Sequence, residues 1–125
     1  MWPFSRIDLN KIDIQLQFWG GERDVPYTAR LSVDGIEVVE ALGVIQGSDF
    51  RLSNITTVPI YRKKGFGTTV VGTLIGVARA RQCTTFTIED VSPRNIEATQ
   101  LYRRFGAVPL PPRETDGHAE YQIQL

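Results

Sequence analysis

The sequence has one cysteine, one histidine and one methionine. The lone Cys83 cannot form an internal disulfide, so the fold does not rest on covalent cross-links and a reducing compartment fits. One cysteine and one histidine cannot supply a Cys/His metal cluster, so no metal is expected. With so few partners to activate it, Cys83 reads as a small core residue rather than a nucleophile. No apolar run approaches the roughly 20 residues of a membrane span. The opening Met1-Trp2-Pro3-Phe4-Ser5-Arg6 lacks the basic start and apolar stretch of a signal peptide. A cytoplasmic protein without a membrane partner is therefore expected.

Net positive charge is also missing. Lysine plus arginine and aspartate plus glutamate both number 14. That balance, with no recognised binding motif, argues against a nucleic-acid partner. Acidic residues are absent from residues 51–81, which hold Arg51, Arg62, Lys63, Lys64, Arg79 and Arg81. Residues 8–49 hold eight acidic residues against Lys11, Arg23 and Arg30. Such a basic middle is either a solvated face or an anion site opposite an acidic first third.

What is present is the composition of a globular domain. Of 125 residues, 42% are hydrophobic and 22% charged, so a single domain over residues 1–125 is expected. Ile12, Ile14, Leu16 and Phe18 alternate with polar residues as in a half-buried strand. Tyr27, Ala29, Leu31 and Val33 repeat the pattern. Asp34-Gly35 then reads as a hairpin turn. A third strand covers Ile36–Gln46, with Val38-Val39 breaking alternation at a bulge. A fourth covers residues 50–58, closed by Pro59. Helical spacing follows at Val70, Val71, Leu74, Ile75 and Ala78, where Gly72 and Gly76 would allow close packing on a sheet. Residues 84–91 form a fifth strand. Ser92-Pro93 reads as the cap and first position of a second helix, which Gly106 ends. Pro109-Leu110-Pro111-Pro112 reads as a rigid loop, and residues 119–125 as a last strand. The fold class is α+β, or mixed α/β, with several antiparallel strands preceding the first helix.

Two motifs carry chemistry. Arg62-Lys63-Lys64-Gly65-Phe66-Gly67 stands between strand and helix. Glycines there let backbone N–H groups approach a phosphate, and the helix N-terminus and cations add positive potential. Alone this is a weak signal, since a glycine turn with solvated lysines has the same composition. The second motif is Asn95, Ala98, Leu101, Tyr102 and Gly106, in the pattern Asn-x-x-Ala-x-x-Leu-Tyr-x-x-x-Gly.

In this order and on these elements, the pair resembles the GNAT superfamily of N-acetyltransferases, specifically over residues 55–107. The resemblance implies a mostly antiparallel, twisted sheet with helices on both faces. It implies acetyl-coenzyme A (acetyl-CoA) as cosubstrate and a primary amine, on a small molecule or a protein, as acceptor. The fourth and fifth strands would splay around the pantetheine arm. Backbone groups from residue 55 to Val58 and Ile60 would pair with it. The pyrophosphate would meet Arg62, Lys63, Lys64, Gly65, Phe66, Gly67 and Thr68. Asn95 would bond the pantetheine or join a helix-start network.

Direct transfer needs a free amine, a polarised carbonyl and a proton for the departing thiolate. Tyr102 stands where the family places its acid, a role favoured over that of a helix tyrosine packed on the core. The fourth strand offers no glutamate. Asp90, just before Val91, matches the base position of the branch that acetylates protein N-termini, with Glu89 and Glu40 behind it. A carboxylate balancing Arg94 is the other reading of Asp90. The chain departs from the family in one respect. Residues 20–26 cannot hold the two helices that usually follow the first strand and wall the acceptor site. A homodimer is the simplest cover for that side, with Trp2, Phe4 and Trp19 either as contacts or as residues that close the core from one end. A large protein acceptor is the alternative. A non-catalytic acyl-CoA-binding domain is the alternative function.

Overall fold

Alternating apolar and polar side chains build the first four strands. The computed structural model describes residues 11–125 and places β1 at Ile12–Phe18, β2 at Asp24–Val33, β3 at Ile36–Gln46 and β4 at Asp49–Thr57. These run as an antiparallel meander. Helix α1 (Phe66–Ala80) then crosses over to β5 (Thr85–Val91), which pairs parallel to β4. Helix α2 (Ile96–Arg104), β6 (Val108–Pro109) and β7 (Ala119–Gln124) complete a seven-stranded sheet of order β1-β2-β3-β4-β5-β7-β6. This is the expected α+β, mostly antiparallel architecture. Residues 19–23 alone join β1 to β2, and no helix lies there. Trp2 and Phe4 lie outside the described residues; Trp19 is exposed just past β1.

Local chemistry sets the turns. Asp34 and Gly35 take φ of 50° and 80°, the pair of positive values that matches a tight hairpin to strand twist. The bulge read at Val38-Val39 is present. Leu31 pairs with Val39 and Ser32 with Glu37, which leaves Val38 as the extra residue. A second bulge falls on β4. Leu42 pairs with Asn54 and Gly43 with Leu52, so Ser53 is unpaired.

Paired side chains share a face. The row Tyr27, Gly43, Leu52, Ile88 and Tyr121 therefore lies on one side of the sheet. Buried Val70, Val71, Leu74, Ile75 and Ala78 of α1 cover that side. The Tyr102 ring of α2 packs on Tyr121 of the same row, at 6.3 Å. The expectation of helices on both faces is thus corrected: α1 and α2 share the apolar face. The other face carries Arg30, Glu40, Asn54, Thr56, Arg51, Thr87 and Gln122, with Leu42 and Val44 among them. A mainly polar face gives a helix little to bury.

Three smaller expectations also change. Helix α2 begins at Ile96, not Pro93. Asn95 Oδ1 accepts from Ala98 N and caps the helix, while Asn95 N bonds Ser92 O and closes a preceding turn. Pro109 lies in the short edge strand β6, where a missing N–H costs no ladder bond. Gly72 faces Phe105 beside α2, where an added Cβ would stand 3.6 Å from the ring; Gly76 has open space around its Cβ position. Gly72 therefore admits α2 rather than the sheet.

Gly43 is the tightest glycine of the sheet centre. A Cβ there would stand 2.0 Å from Arg51 O and 2.4 Å from the Tyr27 hydroxyl, which itself donates to Arg51 O at 2.8 Å. Gly43→Ala should break that bond and cost about 3 kcal/mol by overpacking. Urea unfolding measures this. A change below about 1 kcal/mol would show that the Arg51 carbonyl and the Tyr27 ring both give way freely.

Candidate active site

The site exists because β4 and β5 stop pairing. Their ladder runs from Asp49 with Thr85 to Leu52 with Ile88 and ends there, while β4 continues to Thr57 and β5 to Val91. On the helix side this parting opens into a cleft of about 720 Å³. Ile55, Thr56 and Thr57 of β4 form one wall, and α2 contributes the opposite wall. The β5-facing backbone of residues 53–57 thus has polar groups without ladder partners, as an added extended chain requires.

The floor is the start of α1. Gly65 is its N-cap, with φ of 86°, and no side chain caps the helix. Thr69 N bonds Gly65 O, so the first intrahelical bond leaves the N–H groups of Phe66, Gly67 and Thr68 free for an anion. Lys63 also takes a left-handed φ of 62°. Successive N–H groups in such a turn converge on a concavity suited to phosphate.

Of the residues singled out from sequence, Arg62, Lys63, Gly65, Phe66, Gly67, Thr68, Asn95 and Tyr102 line this one cleft. Val58, Ile60 and Lys64 stand outside its lining. Val58 N is taken by Val38 O at 2.9 Å, and Ile60 is 75% exposed on the short turn Pro59–Tyr61. Tyr61, Glu97, Gln100 and Arg104 also line the cleft and were missed. A signal was available for three of them. Residues 97, 100, 101 and 104 share one stripe of a helix, so whatever Leu101 faces, they face too. Lys63 Nζ meets Glu97 Oε1 at 3.3 Å across the cleft mouth.

Tyr102 combines a buried ring with a free hydroxyl. The side chain is 4% exposed, and its oxygen has no hydrogen-bond partner among the described residues. Burial pushes its phenol above the ordinary value. A phenol so held stays protonated at neutral pH and can give a proton to an anion in the cleft.

The three carboxylates considered as bases lie outside the cleft lining. Asp90 occupies a bulge of β5, with φ of 57°, and its Oδ1 accepts from Arg113 Nη2 at 2.6 Å and His118 Nδ1 at 2.9 Å. Arg94, once a possible partner, does not meet it. Glu89 accepts from Arg51 Nε at 2.6 Å, and Glu40 from Arg30 Nε at 3.3 Å. These groups stand on the face away from the helices.

The model of the acetyltransferase (GNAT) family matches residues 11–107. No curated protein matches the chain in sequence. Among solved structures, the PaiA N-acetyltransferase of Thermoplasma acidophilum, in complex with coenzyme A, superposes with TM-score 0.72 at 12% identity. That match covers 80% of this chain but only 61% of the Thermoplasma chain. The ribosomal-protein-S18-alanine N-acetyltransferase of Escherichia coli gives TM-score 0.67 at 23% identity over 85% of this chain and 70% of that one. A Bacillus subtilis acetyltransferase in complex with CoA gives 0.69 at 15% identity over 90% and 99%.

Tyr102 and Tyr27 make stability depend on alkaline pH. Burial raises both phenols, and the charge of Glu89 adds to the effect on Tyr27. An unfolded tyrosine ionises near pH 10. The contribution is therefore complete below about pH 10 and is lost as pH climbs from there toward the folded values. The melting midpoint should fall from about pH 10 upward, and less steeply in Tyr102→Phe. Equal slopes in the two proteins would show that the Tyr102 phenol ionises as freely folded as unfolded.

Proposed function

The chain belongs to the acetyltransferase (GNAT) family, and we propose that it transfers the acetyl group of acetyl-CoA to a primary amine by direct attack in a ternary complex. The observation that carries this reading is the meeting of three features in one cleft. Unpaired β4 backbone, the uncapped start of α1 and Tyr102 all line it. An extended amide-bearing arm, a pyrophosphate and a leaving thiolate need those groups in that order.

Each residue then has a task. The N–H groups of residues 63–68 hold the pyrophosphate, with Arg62, Lys63 and Arg104 as counter-charges and Lys64 just outside. Val58 and Ile60 form an apolar rim. Asn95 spends Oδ1 on its helix cap, which leaves its amide N–H₂ to donate to the pantetheine. A backbone N–H on the far part of β4 polarises the thioester carbonyl. Tyr102 protonates the departing sulfur. The acceptor ammonium, with a pKa of about 8 to 10, must first lose a proton. It approaches from the polar face, where no helix of the described residues stands. That open side suits a protein acceptor or a site completed by a second copy, whereas a small amine would react in a wet cleft.

One observation favours a non-catalytic acyl-CoA binder. Glu97 is the one carboxylate lining the cleft among the described residues, and Lys63 engages it. Turnover separates the two readings. Acetyl-CoA at a hundred times its dissociation constant should add roughly 2.7 kcal/mol of stability, and Gly65→Val should abolish the shift. Tyr102→Phe should keep the shift and lose about a hundredfold in kcat, or about 2.7 kcal/mol. No shift at millimolar ligand sinks the cosubstrate. A shift without thiol release for any amine leaves the binder, and normal turnover by Tyr102→Phe removes the assigned acid.

A further inference from the structure

His118, the only histidine in the sequence, is held by Asp90 in the manner of an oriented base. Asp90 lies just past Ile88, in the part of β5 that β4 no longer pairs. There Ile88 pairs with Tyr121 and Val91 with Ala119, so β5 carries one residue more than β7. A bulge of this kind re-aims a side chain. The left-handed φ of Asp90 is a conformation that L residues adopt only at a cost. The result is a carboxylate turned toward the β7 side rather than into the cleft.

The imidazole comes from the other direction. His118 immediately precedes β7, in phase with Glu120 and Gln122, and Glu120 reaches Arg51 on the polar face. Its backbone is fixed on both sides. Asp116 Oδ1 accepts from His118 N at 2.9 Å, and His118 O accepts from Arg113 N at 2.8 Å. Asp116 also holds the Arg113 guanidinium, which shares Asp90 Oδ1 with the imidazole. An ionised carboxylate only accepts, so Nδ1 donates to Asp90 and Nε2 is left as the acceptor. Nε2 has no protein partner among the described residues, and the side chain is 29% exposed.

We propose that His118 is the general base of the transfer and that Asp90 is its positioning residue. This rests on the acetyltransferase reading above. It gives the two proton tasks to opposite faces of the sheet. On the polar face the acceptor ammonium gives one proton to Nε2, and Asp90 stabilises the imidazolium. The free amine attacks the carbonyl carbon, the C–S bond breaks, and the sulfur leaves with the Tyr102 proton. The phenolate recovers a proton from the newly acylated nitrogen. The imidazolium releases its proton to solvent, so the balance is one amide, one thiol and one proton. Asp90 then keeps the place suggested by sequence but acts through the ring.

The experiment is the pH profile of thiol release, with acetyl-CoA thermal shifts alongside. The charged group bonded to the imidazole is Asp90 on β5, with Arg113 and Asp116 of the loop in the same cluster; Glu89 on β5 and Glu120 on β7, nearest in sequence on the packed strands, are held by Arg51. Wild type should gain rate with rising pH through a single limb. His118→Ala should lose about a hundredfold in kcat/KM at pH 7, lack that limb, keep its acetyl-CoA shift and recover partly with added imidazole. His118→Gln retains an amide donor for Asp90, so a mere loop tie predicts wild-type rate and a base predicts the loss seen in alanine. Asp90→Asn should shift the limb, and the Asp90→Asn/His118→Ala pair should be no slower than His118→Ala alone. Wild-type rate and profile in His118→Gln, or loss of the acetyl-CoA shift in His118→Ala, overturns the proposal. A wild type that releases no thiol overturns the transfer reading itself, which the wild-type rate alone reveals.

Discussion

Arg51 joins the strands at the last rungs before they part. Its guanidinium donates to Asp49 at 2.8 Å and Glu89 at 2.6 Å, and also to Glu120, so one side chain on β4 ties β5 and β7. Burial alone would lower its pKa, but the bonds to Glu89 and Asp49 and the charge of Glu120 hold it above its ordinary value. A half-buried cation of this kind is stable only while its partners remain, since removing one leaves an uncompensated charge. The network also covers a face that no helix of the described residues covers. Thr87 lies under it, fully buried, donating to Asp49 and accepting from Gln122. Closed by ions at one end, β4 and β5 are free to separate at the other, and the cleft follows from that contrast.

The same contrast divides the sheet by chemistry. On the apolar side α1 and α2 bring an uncapped helix start and a protonated phenol to the gap. On the polar side stand carboxylates, arginines and the single imidazole. A thioester lodged between the strands would be reached from both sides at once, by an acid from one and an amine from the other. Shortening the β1–β2 connection to residues 19–23 removes a wall but leaves both sets of chemical groups in place.

Most of the frame was legible because strand alternation, helical spacing and turn residues each obey local rules. Val38-Val39 announced its bulge, and Asp34-Gly35 its turn. The motif residues Arg62, Gly65, Gly67, Asn95 and Tyr102 line one cleft. Where reading failed, the deciding physics was not local. Ser92-Pro93 has the composition of a helix start, yet the Asn95 cap three residues on set the boundary. Which face a helix takes depends on strand register, so the shared face of α1 and α2 was invisible. The partners of Asp90 are 23 and 28 residues away, brought close by a bulge and a loop that no periodicity records.

Amide chemical shifts measure directly where acetyl-CoA lies. Titrating acetyl-CoA into ¹⁵N-labelled protein should move the N–H signals of residues 53–57 and 63–68 together, with those of Asn95 and Ala98. The amides of β1 and of the β2–β3 turn should stay in place. Perturbation confined to β1 and its neighbours, or none at saturating ligand, would contradict the assignment of the β4–β5 cleft as the cosubstrate site.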